Sequence, residues 1–165
     1  MKAEFNITLS CRDMYRFSMY HAYTGSQGVI SILIAILCFV VSVWTYGSVT
    51  LTYTILYAVF GVLFLVYIPV NLYLHSKRQF LKSEVLQNPL HYVIDEDGVH
   101  TSQNGETAEL PWEQIYKMIS TKRSVLIYSS RVNAYIIPKE QVLGEYDMIR
   151  TLAQEKLPGY RCRMK

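Results

Sequence analysis

The pattern of apolar and polar positions changes character twice along this chain. Residues 3–9 alternate, with Phe5, Ile7 and Leu9 on one side and Glu4, Asn6 and Thr8 on the other. A period of two predicts a half-buried strand. Residues 29–46 and 51–74 then form two apolar runs with no polar face, separated by Gly47-Ser48-Val49-Thr50. Beyond Asn88-Pro89 the alternation returns in short pieces broken by turn residues. These predict strands at 90–94, 99–103, 107–110, 115–121, 125–129 and 134–137, and an amphipathic helix at 145–156.

Charge decides how the middle regime is read. Not one Asp, Glu, Lys or Arg occurs between Arg16 and Lys77. A bilayer core of ~30 Å needs about 20 mostly apolar residues as a helix. Both runs are near or above that length, so residues 28–74 are expected to form a transmembrane hairpin with helices at about 29–46 and 51–74. Two buried core helices would need a large soluble shell, which 165 residues with this block removed do not supply. Lys2, Arg12 and Arg16 precede the hairpin, Lys77, Arg78 and Lys82 follow it, and the connecting loop is uncharged. The positive-inside rule then puts both termini in the cytoplasm. The first 28 residues are polar and too long for a signal-peptide leader, so the first apolar run is expected to be retained.

Small residues mark where the helices would meet. Ser31, Ala35, Cys38, Ser42 and Thr45 form one stripe, and Thr50, Thr54, Ala58 and Gly61 form another. Such stripes let backbones approach where hydrophobicity cannot drive association, and they are expected to face each other within the hairpin. A second subunit is the rival partner. Pro69 is expected to kink the second helix, with Asn71 hydrogen-bonded locally.

The flanks divide into residues 1–27, a cytoplasmic strand and helix; 75–89, a juxtamembrane helix; and 90–165, a β-domain with a C-terminal helix. Ser10 and Asp13 have the spacing of a capping box that opens the helix of the first segment. Lys77, Arg78 and Lys82 are candidates for contact with lipid headgroups, each worth ~1 kcal/mol against an anionic surface. Trp112 is read as an anchor of the domain core rather than a ligand platform. His91 and His100 lie on one predicted hairpin and are weighed as a facing pair, without further metal ligands nearby in sequence. Asp95, Glu96 and Asp97 read as a solvated turn, and the tail 161–165 as a solvated basic end.

A net charge of +3 with no basic stripe argues against nucleic acid. Cys11, Cys38 and Cys162 have no metal spacing, and no base is indicated for a nucleophile. No catalytic, cofactor-binding or metal-ligating residue is nominated.

The order of strands and final helix resembles the pleckstrin-homology-like fold. Leu110-Pro111-Trp112-Glu113-Gln114-Ile115-Tyr116-Lys117, then Val125-Leu126-Ile127-Tyr128, then Ala134-Tyr135-Ile136-Ile137-Pro138-Lys139, look like the C-terminal domain of the YcxB-like family. The resemblance implies a bacterial membrane protein with two transmembrane helices before a small pleckstrin-like domain, and it carries over no catalytic residue. The expected fold is therefore an α+β membrane protein: a two-helix transmembrane hairpin followed by a small antiparallel pleckstrin-homology-like β-domain capped by a C-terminal helix. The expected location is the bacterial cytoplasmic (inner) membrane, multi-pass. The expected role is a membrane-anchored protein-interaction or regulatory module. Its partners would be the lipid bilayer and either another protein or a second copy. An anionic-lipid-binding module or a small subunit of a larger membrane complex are the alternatives, and catalysis ranks last.

Overall fold

The computed structural model describes residues 2–164. The strand β1 (Ala3–Ile7) leads into three helices: α1 (Cys11–Thr24), α2 (Ser26–Trp44) and α3 (Leu51–Lys82). A single turn, α4 (Glu84–Gln87), then precedes six strands: β2 (Leu90–Ile94), β3 (Gly98–Gln103), β4 (Glu106–Pro111), β5 (Lys117–Ser120), β6 (Ser124–Tyr128) and β7 (Ala134–Pro138). Helix α5 (Tyr146–Lys156) and a short strand β8 (Cys162–Arg163) follow. The chain forms two compact units, a sheet domain built from the segments up to Asp13 and from Phe80 onward, and a helical unit from Met14 to Gln79.

The sheet domain has two four-stranded sheets, ordered β1-β2-β3-β4 and β7-β6-β5-β8. The helices therefore do not simply precede the domain, as the sequence led us to expect. They interrupt it. β1 pairs antiparallel with β2 over its whole length, from Ala3↔Ile94 to Ile7↔Leu90. Alternation sends Ala3, Phe5 and Ile7 inward, where they join Tyr92, Ile94 and Val99 in the core. Phe5 stacks on Tyr92 at 5.7 Å between ring centroids, and Tyr135 meets Tyr92 edge-on at 6.1 Å. From the second sheet come Met118, Val125, Ile127 and Ile137, and from α5 come Ile149, Leu152 and Ala153. The turn between β3 and β4 uses Asn104 and Gly105, both at positive φ (51° and 85°), as a tight two-residue hairpin demands.

The tail corrects a second expectation. Residues 161–164 do not trail into solvent. β8 pairs in parallel with β5, through Met118↔Cys162 and Ile119↔Arg163, so the second sheet is mixed rather than purely antiparallel. Met164 is buried in the core. Lys165 lies outside the described residues.

In the helical unit, α2 and α3 form a helical hairpin joined through residues 45–50, and each is long and apolar enough to cross a membrane. Their most apolar windows are only 17% and 11% buried, whereas the core helix of a soluble protein is mostly covered. Pro69 lies inside α3 without ending it. The helix expected to continue out of the hairpin over 75–89 is, for its first part, the end of α3 itself. α3 runs on through Lys82, breaks at Ser83, and resumes for one turn as α4. Gln87 reaches back and donates its amide to the carbonyls of Phe80 and Leu81, each at 3.1 Å, closing the helix end.

Candidate interaction surfaces

Two hydroxyls of α2 reach main-chain carbonyls of α3. Gly28, Ala35 and Ser42 are the buried positions of α2, and Thr54, Gly61, Ile68 and Ser76 those of α3. Ser42 Oγ donates to the Thr54 carbonyl at 2.9 Å, and Ser31 Oγ to the Phe64 carbonyl at 2.9 Å. A Cβ on Gly61 would stand 3.0 Å from the Phe39 ring, so any larger residue there needs that ring to give way. Cys38 and Ala58 are half-buried at the margin of this seam. The Thr54 hydroxyl is buried without a hydrogen-bond partner. Helix α1 lies alongside α3 in the same direction, with Ser18 and Ser76 hydroxyls 3.0 Å apart and Tyr15 edge-on to Tyr73 at 5.6 Å.

Lys77, Arg78 and Lys82 are exposed along the final turns of α3. No ion pair engages them among the described residues. A helix C-terminus favours cations, which is one reason the helix tolerates them there.

The start of α1 is set locally. Asp13 N–H donates to Ser10 Oγ at 3.2 Å, and Ser10 N–H returns a bond to Asp13 Oδ2 at 3.1 Å. This reciprocal pair satisfies two backbone donors that the helix leaves open. Just before it, Gln141 clamps the main chain of Thr8, accepting from its N–H and donating to its carbonyl, both at 2.9 Å. No sequence pattern singles out Gln141.

Trp112 opens a short 3-10 turn after Pro111 and is buried in the domain core. Its indole N–H donates to the Asp95 carbonyl at 2.9 Å, tying the β2–β3 turn to the start of the second sheet. In that turn, Asp95 Oδ1 accepts from the N–H groups of Asp97 (3.0 Å) and Gly98 (3.3 Å). Burial would raise the Asp95 carboxyl, but these donors and the nearby His100 outweigh it and hold it below its ordinary range. Burial, helped by Tyr135, pushes the Tyr92 phenol well above its ordinary value.

His91 and His100 do not face one another. The register opposes His91 to Ser102 and His100 to Val93. His91 lies 2.8 Å from Asn6 Oδ1 and 3.4 Å from Glu4, while His100 sits between Asp95 (3.2 Å) and Glu109 (3.6 Å). Among the described residues no group of three or more His, Cys, Asp or Glu is arranged to hold a metal.

Beside Trp112 an open hollow of about 450 Å³ is lined by the acids Glu96, Asp97 and Glu113 and the bases Lys156 and Arg161. The sheet edges complete the list of surfaces. β4 is an end strand whose residues 106–109 are all exposed. β5 would be an end strand too, were it not for β8.

The whole is a mixed α+β protein in which two apolar helices are joined to a two-sheet domain with a C-terminal helix. Residues 94–153, from the end of β2 into α5, match the family model described as YcxB-like protein, so over that stretch the chain is similar to that family, as its strand motifs implied. Searches of curated proteins and of solved structures gave no match.

Proposed function

We propose that this protein is a membrane-anchored interaction or regulatory module, with α2 and α3 crossing a bacterial cytoplasmic membrane and the sheet domain on the cytoplasmic side. The observation that carries the reading is the insertion of the apolar hairpin between two strands paired over five residues. An anchor placed there tethers the folded domain through two chain crossings, both at the same sheet edge. The exposed apolar surface of α2 and α3 supports a lipid surrounding. Two spans return the chain to its starting side, and the cations at both flanks favour the cytoplasm for that side. A four-stranded sheet, a three-stranded meander and a closing helix fit the pleckstrin-homology-like plan, with the hairpin spliced between its first and second strands. That plan hosts many binding functions, so the partner must come from the surface.

The test is purification of the full-length protein from its native membrane in mild detergent, with mass and composition read together. A stoichiometric second protein is expected. A strictly solitary chain under those conditions overturns the reading. Exposed Lys77, Arg78 and Lys82 favour a second reading, binding to anionic lipid. Replacing all three with Ala is then expected to weaken binding to vesicles rich in phosphatidylserine by about tenfold or more, at ~1 kcal/mol per cation.

A further inference from the structure

The edge of β5 is closed by very little. β8 contributes two residues in parallel register, and the Met118 N–H donates to the Arg161 carbonyl at 2.8 Å. Parallel pairing is the weaker kind per residue, and so short a strand is marginal alone. What seats it is chiefly Met164, with the half-buried Cys162 also packed against the core. Met164 is 5% exposed, and Gln154 on α5 donates its amide to the Met164 carbonyl at 3.3 Å. The segment thus lies along a groove between β5 and α5, after a turn in which the N–H groups of Arg161 and Cys162 both bond the Pro158 carbonyl. Main-chain pairing at a sheet edge plus one pocketed side chain is how extended peptides add to a sheet. The bases fit the surroundings as well, because Arg161 lines the hollow that carries Glu96, Asp97 and Glu113.

We propose that the β5–α5 groove is a docking site for an extended segment of a partner protein, and that residues 160–164 of this chain hold it in cis. The partner segment adds as a strand parallel to β5. It carries a basic residue toward the acidic hollow and an apolar side chain in the place of Met164. The inference rests on the interaction-module reading and names the surface for it. A tethered occupant competes at an effective concentration of about millimolar, so a free segment binds only when the cis segment is removed or unseated.

The probe is a fluorescent peptide with the sequence of residues 158–165, Cys162 replaced by Ser. It is titrated against the full-length protein in detergent, against a chain ending at Gly159, and against Met164→Asp. The shortened chain is expected to bind at least about tenfold more tightly than the full chain, with Met164→Asp between them and a peptide carrying the same Met-to-Asp change inert. Equal binding to full and shortened chains overturns the proposal, as does no binding to either variant while its Trp112 fluorescence stays native. If the shortened chain does not fold, Met164→Asp and amide exchange in the intact protein decide. Exchange at Met118, whose N–H bonds the Arg161 carbonyl, at least about tenfold faster than in β6 supports a segment that opens without global unfolding. Exchange only at the global rate overturns it. A co-purifying partner held equally well by all three chains would leave the module reading standing and remove this groove from it. A partner held by none of them would remove both.

Discussion

Tyr92 and Gly61 are both buried, for opposite reasons. Tyr92 fills the sheet domain, stacked on Phe5 and met edge-on by Tyr135, and its burial takes a large ring out of water. Gly61 is buried because it is almost nothing, and its absent side chain lets the Phe39 ring come close. In the domain the large apolar residues point in. In the hairpin they point out, as Leu33, Leu37, Val43 and Leu63 do, while Gly28, Ala35, Ser42 and Thr54 point in. One chain thus follows two packing rules. Water drives the first, by about 25 cal/mol for each Å² of apolar surface removed. In the proposed lipid surrounding, which is as apolar as the side chains, the second runs on close van der Waals contact and hydroxyl-to-carbonyl bonds.

If the rules are separate, changes in one region leave the other standing. Tyr92→Ala is expected to cost the domain about 3–5 kcal/mol, read as a fall in the melting temperature of the full-length protein in detergent. In a background with Cys11, Cys38 and Cys162 replaced by Ser, a short thiol cross-linker should still join Ser42→Cys to Thr54→Cys within the chain. Loss of that cross-link along with the domain would break the comparison. The converse change is Gly61→Val. It should push the Phe39 ring away, cost the hairpin about 1–3 kcal/mol and slow the same cross-link, with the domain melting unchanged.

Acid gives the smallest and sharpest separation. The folded-state Asp95 carboxyl titrates below its unfolded value, so the folded state binds that proton less readily. Its contribution to stability is complete above about pH 4 and is lost as pH falls through the depressed folded value. Melting curves should therefore show the domain weakening below about pH 4, with a shallower acid limb in Asp95→Asn. The distance between spin labels at positions 42 and 54 should not respond, since no Asp, Glu, Lys or Arg lies between Arg16 and Lys77.

What could be read from the sequence was local. The Ser10–Asp13 capping box depends on neighbours three residues apart, and the structure has both of its bonds. The strand at the start of the chain was visible in its alternation. Its partner was not, because no local pattern says that Ile7 meets Leu90 across the hairpin. The continuation of the second apolar helix past residue 75 was visible in its period, but the break at Ser83 was not, because the helical pattern runs on across it. β8 had no period at all, since two residues cannot display one. Gln141, which clamps Thr8, looks like any exposed amide. Among the surfaces, then, nothing in the sequence marked the groove beside β5.

The splice between β1 and β2 also sets an order of events at the ribosome. β1 leaves first and has nothing to pair with until the whole hairpin and α4 have been made. At ~5–20 residues per second the wait is on the order of ten seconds. Through that interval a strand with one apolar face stands alone, and the sheet it belongs to cannot begin from its own first strand. The hairpin is therefore synthesised, and available for insertion, before the domain can finish folding. Assembly of the domain then closes a very long loop, and its last large entropic cost falls when β1 is recaptured by β2.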